Sequence, residues 1–279
     1  MLLKNISELH KQLDNNDCRV VGLIPTMGAL HQGHLSLIEQ AKKECDCIVV
    51  SIFVNPTQFN DASDLLKYPR TLDEDMKKIR GISEHILVYV PLVDEIYPNG
   101  PKSKHFDFGT LSIYMEGQYR KGHFDGVATV LKRLFELVEP QKAYFGEKDY
   151  QQLAIVRKLT EMIDTKVEII GCNTYREPYG LAKSSRNKLL NDDEKNKAVI
   201  IYQSLKLART YFEKLSIPEI KKMVKSSFKT LENVKLEYFE IAAEDDLVPV
   251  ENIQKDKKYR AFIAAYYNEV RLIDNIVLN

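Results

Sequence analysis

Apolar and polar residues alternate along the chain with two distinct periods, and these periods predict its secondary structure. Short, continuously apolar runs predict strands at Val20–Ile24, Cys47–Phe53, His85–Val90, Ala143–Phe145 and Val167–Gly171. Amphipathic segments predict helices at Ile6–Leu13, His34–Lys43, Asp73–Ile79, Gly126–Val138 and Tyr150–Met162. Strands that alternate with helices and are apolar throughout are typical of a mostly parallel sheet covered on both faces. The first two-thirds of the chain therefore predicts an α/β fold.

The pattern changes beyond about residue 175. Asn191 with Glu194 three residues later is typical of a helix start, and the charged amphipathic run that follows ends at about Leu215. A second helix is predicted from Pro218 to about Leu231, and strands are predicted at Val234–Ile241, Tyr259–Tyr266 and Val270–Val277. Helices followed by strands predict a smaller α+β domain, so we place the domains at residues 1–174 and 175–279. The longest stretch without a predicted element is Pro98–Phe124.

Charge and composition argue against several classes of partner. The chain has 40 Lys+Arg and 40 Asp+Glu residues, and this balance disfavours the basic surface that non-specific binding to nucleic acid or membrane needs. No stretch approaches the roughly 18–20 continuous apolar residues of a membrane span, and no secretory signal is recognised. The four cysteines predict neither a disulfide framework nor a zinc site. We expect a soluble, cytoplasmic protein of a reducing compartment, with no nucleic-acid or membrane partner.

Polar segments follow four of the predicted strands. These segments are Pro25–His34, Asn55–Phe59, Gly146–Gln152 and Arg176–Asn187. In open parallel sheets, ligands bind beyond the carboxyl ends of the strands. Histidines, amides, lysines, serines and an arginine would meet there, so the sequence predicts an anion-binding active site.

The first segment combines two glycines with two histidines. Gly28 and Gly33 permit close backbone approach, and a helix that begins near Gly33 directs its N–H groups and positive dipole end into the crevice. His31 and His34 can donate hydrogen bonds to a phosphate. The alternatives are that one histidine caps the helix while the other is solvated, or that both bind zinc, for which no third ligand lies nearby. Two histidines flanked by glycines favour phosphate.

The other segments supply charge and amides. Lys148 lies at a predicted helix start, where a cation opposes the dipole, so we interpret it as a phosphate ligand rather than a solvated side chain. Of Gln151 and Gln152, we expect one to face the site. The hydroxyl groups and the guanidinium of Lys183–Arg186 can stabilise the negative charge on a leaving pyrophosphate. Asn55 and Gln58 are neutral and suit a hydroxylated carboxylate, although turn chemistry alone would explain Asn55 before Pro56.

Six motifs in order carry a family resemblance. They are Pro-Thr-Met-Gly-Ala-Leu-His-x-Gly-His, Phe-Val-Asn-Pro-x-Gln-Phe, Tyr-Pro-Arg-Thr, His-Phe-x-Gly-Val, Phe-Gly-Glu-Lys-Asp-Tyr-Gln-Gln-Leu and Ser-Ser-Arg-Asn. Together they resemble the pantothenate synthetase (pantoate–β-alanine ligase) family, over about residues 20–190 and again at Arg271–Asn275. Pro25–His34 and Lys183–Asn187 also resemble the HIGH and KMSKS motifs of the nucleotidyltransferase superfamily that includes class I aminoacyl-tRNA synthetases.

The resemblance implies a fold and a reaction. The fold is a Rossmann-like N-terminal domain with a smaller C-terminal lid, in a homodimer. The reaction is an ATP- and Mg²⁺-dependent condensation of pantoate with β-alanine, in which pantoyl adenylate forms and AMP and pyrophosphate are released.

The resemblance also implies roles for individual residues. His34 is the family's proton donor, and His31 and Lys148 join it as catalytic residues. Pantoate is held by Asn55, Gln58 and Gln152, and Gln58 also lies near β-alanine. ATP contacts are expected from Met27, Gly28, Ala29, Leu30, His31, Gln32, Gly33, His34, Gly146, Glu147, Lys148, Asp149, Tyr175, Lys183, Ser184, Ser185 and Arg186. The ligands of Mg²⁺ are not assigned.

Two other functions are compatible with the same motifs. A nucleotidyltransferase of the same fold could adenylylate another acceptor, such as a phosphorylated pantetheine intermediate. Gln58 and Gln152 argue against it, because a phosphorylated acceptor favours basic residues. A non-catalytic nucleotide-binding protein is disfavoured because every expected catalytic position is filled.

Lys183 departs from the family, which usually has Met before Ser-Ser-Arg. If its side chain points inward, it adds a phosphate contact like the lysines of KMSKS loops. We therefore expect Lys183→Met to raise the KM for ATP modestly in steady-state kinetics. An unchanged KM would refute a phosphate contact by Lys183.

Overall fold

The computed structural model describes residues 1–60, 62–229 and 231–279, with the side chains of residues 62–64 left undescribed. The chain divides into two compact units. The N-terminal unit comprises Met1–Phe108, Arg120–Glu147 and Gln152–Asn173, and the C-terminal unit comprises Gly109–Tyr119, Lys148–Gln151 and Thr174–Asn279. The main boundary lies next to the one placed from sequence, and two short earlier segments group with the C-terminal unit.

The N-terminal unit contains a parallel sheet of six strands in the described residues. The strands are β1 (Leu2–Leu3), β2 (Val21–Thr26), β3 (Cys47–Ile52), β4 (Leu87–Tyr89), β5 (Lys142–Gly146) and β6 (Glu168–Cys172), in the order β1-β4-β3-β2-β5-β6. The helices are α1 (Ile6–Asn15), α2 (Gln32–Ala41), α3 (Ala62–Lys67), α4 (Leu72–Arg80), α5 (Val93–Ile96), α7 (His123–Val138) and α8 (Tyr150–Met162), and the first two residues of α8 group with the C-terminal unit. The predicted α/β class and parallel sheet are confirmed.

Both faces of this sheet are covered. Val49 and Val50 in β3 are each fully buried, and successive strand residues point to opposite faces. Val50 packs in one cluster with Leu37 and Ile38 of α2. A strand buried on both sides needs the continuous apolar run that the sequence has at this position.

The strand order creates a topological switch point at β2. Its neighbours are β3 on one side and β5 on the other, and all three strands run parallel. Ligands bind in the crevice beyond such a point because the connections leave in opposite directions. The segments that start there are the loop after Thr26 and the turn after Gly146.

The C-terminal unit contains an antiparallel sheet and its helices. The strands, in the order β7-β8-β9, are β7 (Val234–Ala243), β8 (Tyr259–Tyr267) and β9 (Val270–Val277), and the helices are α6 (Glu116–Tyr119), α9 (Asp192–Ala198), α10 (Ile200–Tyr211) and α11 (Ile217–Phe228). One face of the sheet packs on α10 and α11 through residues such as Leu205, Ile220 and Ile263. The predicted α+β class is confirmed.

Several predicted bounds are corrected. The helix expected from Asn191 to about Leu215 is divided at Val199, although the capping box of Asn191 and Glu194 is present. The next helix begins at Ile217 rather than Pro218, because Ser216 and Glu219 form its capping box. The stretch 98–124 contains a 3₁₀ turn at Gly109–Ser112 and α6. The predicted end at Leu231 lies beyond Phe228, with residue 230 outside the described residues.

The cysteines differ from expectation. The structure joins Cys18 and Cys47 in a disulfide with a Cα–Cα distance of 5.6 Å, while Cys45 and Cys172 are free. Val21 is paired with Cys47 in the β2–β3 ladder, and this register brings Cys18 close. Spacing along the sequence could not show that pairing. In the described part of the chain, no helix has both the length and the apolarity to cross a bilayer.

Candidate functional site

The loop between β2 and α2 adopts a left-handed turn. Gly28 and Ala29 have φ of 78° and 51°. Gly28 N donates to Thr26 Oγ1 at 3.1 Å, and Thr26 Oγ1 donates to the carbonyl of Ser51 on β3 at 2.8 Å. A Cβ at Gly28 would lie 3.1 Å from Cγ2 of Ile52. A side chain at position 28 is therefore disfavoured both by the positive φ and by the tight contact with Ile52.

The buried carboxylate of Asp75 holds this loop. It accepts from Ala29 N at 2.8 Å and from Leu30 N at 2.7 Å, and the side chain of Asp75 is fully buried. Lys78 Nζ donates to Leu30 O at 2.8 Å. Asp75 is one residue that sequence reasoning missed, because an acidic residue in the first turn of a helix is ordinarily explained by the helix dipole.

His31 and His34 lie side by side at the start of α2. Nδ1 of His31 accepts from Gly33 N at 3.1 Å, and Nδ1 of His34 accepts from His31 N at 3.3 Å. The two rings stack with centroids 4.0 Å apart. A neutral imidazole that accepts through Nδ1 carries its proton on Nε2, so each ring has an Nε2–H donor. His31 is thus the helix cap that was considered as an alternative, and the cap fixes the tautomer that phosphate binding needs.

Asn55 and Gln58 lie around the 3₁₀ turn after β3. Asn55 Nδ2 donates to Gln58 Oε1 at 3.0 Å and to Gly126 O at 3.1 Å. Tyr97 Oη donates to Asn55 Oδ1 at 2.5 Å, and burial raises the pKa of Tyr97, which keeps that donor protonated. Gln58 Nε2 lies 3.2 Å from Met27 Sδ. Asn55 therefore orients Gln58, and Met27 links Gln58 to the β2–α2 loop.

A histidine at the start of α7 holds the backbone carbonyl of Gln58. Nδ1 of His123 donates to Gln58 O at 2.9 Å, and Nη1 of Arg120 lies 3.0 Å from Nε2 of His123. A Cβ at Gly126 would lie 2.5 Å from Thr57 O. Close approach of the Thr57 backbone therefore requires glycine at position 126, since only an unsubstituted Cα fits.

In the C-terminal unit, Lys148 lies in the 3₁₀ turn that leads into α8. Its Nζ is 3.3 Å from Asp149 Oδ1, and its carbonyl accepts from Asn275 Nδ2 at 2.8 Å. The preceding residues Gly146 and Glu147 belong to the N-terminal unit.

The two glutamines after Lys148 differ. Gln151 is buried; its Nε2 donates to Leu111 O at 2.8 Å and to Tyr114 O at 2.9 Å, and its Oε1 accepts from Glu116 N at 3.0 Å. Gln152 belongs to the N-terminal unit and is half-buried. Gln151 thus has a structural role, and Gln152 remains the candidate for substrate binding.

The loop that carries Lys183–Arg186 is held by hydrogen bonds and an ion pair between residues of its own segment. Lys183 N donates to Tyr175 O at 2.9 Å, and the Lys183 ammonium is paired with Glu177. Ser184 Oγ accepts from Arg186 N at 3.3 Å and so caps the short 3₁₀ helix that follows. The charge of Lys183 is therefore balanced by Glu177 in this structure, and a role of Lys183 in ATP binding stays a prediction.

Buried ion pairs fix the C-terminal unit around these segments. Asp274 accepts from Arg176 at 2.5 and 2.9 Å; burial raises the pKa of Asp274, and the guanidinium opposes that shift. Arg271 donates to Glu116 at 2.7 Å and to Glu237 at 2.6 Å. Burial lowers the pKa of Arg271, but hydrogen bonds to both carboxylates raise it above its ordinary value, so it stays charged.

The described residues contain no group of three or more His, Cys, Asp or Glu side chains that could hold a metal ion.

Asp75→Asn tests the buried carboxylate. The variant turns one N–H donor toward the N–H groups of Ala29 and Leu30, so we expect the free energy of unfolding to fall by about 1–3 kcal/mol in denaturant titration. Asp73→Asn is the matched control, because it removes an exposed carboxylate from the same helix turn. Equal stability of the two variants would contradict the role of Asp75.

Comparison with known proteins identifies the family. Residues 1–277 match the family described as pantoate-beta-alanine ligase. The chain is 51% identical over 262 residues to the pantothenate synthetase of Flavobacterium psychrophilum, covering 94% of this chain and 93% of that protein. It is 49% identical over 264 residues to the pantothenate synthetase of Christiangramia forsetii, covering 95% of this chain and 93% of that protein.

Solved structures give the same result. Pantothenate synthetase from Thermus thermophilus has a TM-score of 0.91 and 38% identity, with 99% of each chain covered. The pantoate-beta-alanine ligase of Francisella tularensis, solved with beta-gamma ATP and beta-alanine, has a TM-score of 0.82 and 34% identity, with 100% of this chain and 97% of that one covered. This chain belongs to the pantoate–β-alanine ligase family.

Proposed function

We propose that this chain joins pantoate to β-alanine in two steps connected by pantoyl adenylate. In the first, a pantoate carboxylate oxygen attacks the α-phosphorus of ATP, and pyrophosphate leaves. In the second step, the unprotonated amine of β-alanine attacks the acyl carbon and gives up a proton. AMP leaves with the carboxylate oxygen of pantoate that had bonded to phosphorus in the first step. The products are pantothenate, AMP and pyrophosphate.

The observation that carries this proposal is the Asp75-held loop with its paired histidines. A carboxylate that attacks a polyanion meets strong repulsion, so oriented donors around the phosphates lower the barrier most. His31 and His34 each have an Nε2–H donor, and they stand at the N-terminus of α2, where the helix dipole favours anions. His34 is the proton donor in this proposal.

Each unit supplies its own ATP contacts. The N-terminal unit contributes Met27–His34 together with Gly146 and Glu147. The C-terminal unit contributes Lys148, Asp149, Tyr175 and Lys183–Arg186. Lys148 is the cation among these with a catalytic role. Support comes from the loop geometry and from their match to the family's motifs.

Pantoate is held by Gln58 and Gln152, with Asn55 orienting Gln58. Neutral amides bind the acid without adding charge that would resist its attack on ATP. Gln58 also serves β-alanine. Gln58 Nε2 lies 3.2 Å from Met27 Sδ of the same unit, and this contact supports a pantoate site next to the proposed ATP-binding loop.

Three further properties belong to the proposal. A Mg²⁺ ion would supply positive charge that offsets the charge of the ATP phosphates. The chain works as a homodimer, and it does so in the cytoplasm, where ATP is available. Chelation tests the need for the metal, light scattering tests the dimer, and cell fractionation tests the location.

The overall reaction is tested by following nucleotide release. With ATP, pantoate and β-alanine we expect sustained formation of AMP, and omission of either acid should abolish it. Release of ADP in place of AMP, or AMP formation independent of pantoate, would rule out the proposal.

Two substitutions test the assigned roles. His34→Ala removes a phosphate donor, so we expect adenylate formation to fall by roughly 10²–10³-fold, as for loss of one oxyanion-hole donor. Gln58→Ala should mainly raise the KM for pantoate. His85→Ala, at an exposed histidine, is the control. Wild-type kinetics for either test variant would contradict the role proposed for that residue.

A further inference from the structure

Strand β9 of the C-terminal unit carries polar residues that reach segments far away in sequence. Leu272 and Ile276 belong to the apolar cluster shared with α10 and α11. Asp274 shares their face, and Asn275 points to the opposite one, because successive strand residues alternate. Both polar residues are buried. A buried Asp next to a buried Asn in one strand needs partners on both faces.

Asp274 holds the start of the loop that leads to Lys183–Arg186. Its carboxylate binds both terminal nitrogens of Arg176. Arg176 in turn donates to Gly180 O at 3.2 Å and stacks on the Tyr202 ring at 4.0 Å. The backbone of Arg176 also pairs in an isolated antiparallel β-bridge with Ala182, the residue before Lys183. The position of this loop therefore depends on Asp274.

Asn275 holds the Lys148 segment on the opposite face. Its Nδ2 donates to Lys148 O at 2.8 Å, and its Oδ1 accepts from Arg260 Nη1 at 2.6 Å. Arg260 also lies 3.7 Å above the ring of Tyr150 and donates to Glu244 at 2.8 Å. The Lys148 carbonyl and the Tyr150 ring, on either side of Asp149, are thus held by β9 and its neighbour β8.

We propose that Asp274 and Asn275 are positioning residues that set the spacing between the two ATP-binding segments of the C-terminal unit, Lys148–Asp149 and Lys183–Arg186. This inference rests on the ATP contacts proposed above. Neither side chain touches ATP; each acts through the segment it holds. A rigid strand is suited to this role because an error of about 1 Å in a binding group can lower a rate by about 100-fold.

The test uses Asn275→Asp, which has the same shape. The variant keeps an oxygen for Arg260 but replaces the donor to Lys148 O with an acceptor. We expect the Kd for a non-hydrolysable ATP analogue to rise about tenfold or more, and kcat/KM for ATP in pantoate-dependent ATP–pyrophosphate exchange to fall roughly 10- to 100-fold. The KM for pantoate should stay unchanged.

Asn279→Ala is the matched control. It also removes a side-chain amide with two hydrogen bonds in the same unit, to Tyr259 N and Lys257 O, and it should retain wild-type ATP binding. Asp274→Asn provides a second variant if Asn275→Asp folds poorly, with folding monitored by thermal unfolding. ATP binding at the wild-type level in folded Asn275→Asp would overturn the proposal.

A double-mutant cycle separates positioning from general weakening. If Asn275 acts through Lys148, then Lys148→Ala with Asn275→Asp should bind ATP no more weakly than Lys148→Ala alone. Full additivity of the two losses would overturn the proposal. Wild-type protein that binds the analogue but shows no pantoate-dependent exchange would contradict the proposed reaction, while the binding data would still decide the role of Asn275.

Discussion

The hydrogen bonds from Ala29 N and Leu30 N to Asp75 are the interaction on which the candidate site residues of the N-terminal unit depend. Ala29 adopts a left-handed backbone, which is unfavourable by roughly 1–2 kcal/mol for a residue with a Cβ. Each hydrogen bond to a charged group contributes about 1.5–3 kcal/mol, so the two together outweigh the strain. The chain then enters α2 with His31 as its cap, and the cap sets the protonated nitrogen of both histidines. One buried carboxylate thus holds the loop whose helix cap sets which ring nitrogen of each histidine carries the proton.

In the C-terminal unit, buried ion pairs hold separate chain segments against the antiparallel sheet. Arg271 ties Glu116 to the sheet, and Tyr238 adds a hydrogen bond to Glu116 at 2.8 Å. Breaking such a pair by removing one partner leaves a buried charge and typically costs about 3–5 kcal/mol. The 109–119 segment therefore belongs to this unit, although it precedes much of the N-terminal unit in sequence. Sequence order alone gives a poor guide to which residues form one compact unit.

Local pattern predicted the longer elements, but it predicted neither the short elements β1, α3, α5 and α6 nor the contacts that shape the site. Helix α8 has the predicted bounds, and the Asn191–Glu194 capping box is present, because both depend on residues close in sequence. The contacts of Asp75 and His123 and the Cys18–Cys47 pair were not predicted, because their partners are set by strand register and helix packing. His31 shows an intermediate case: the cap and the phosphate donor were weighed as alternatives, and one ring can do both since its two nitrogens differ. The motif resemblance located most candidate residues without explaining what holds them.

The measurement that tests the adenylate route most directly is isotope transfer from pantoate labelled with ¹⁸O in its carboxylate. If a carboxylate oxygen attacks the α-phosphorus, AMP formed during turnover must carry one ¹⁸O, and pantothenate must retain the other in its amide carbonyl. Mass spectrometry of the AMP decides the matter. We expect one labelled oxygen per AMP; unlabelled AMP, with the label in orthophosphate or pyrophosphate, would contradict formation of pantoyl adenylate by this chain.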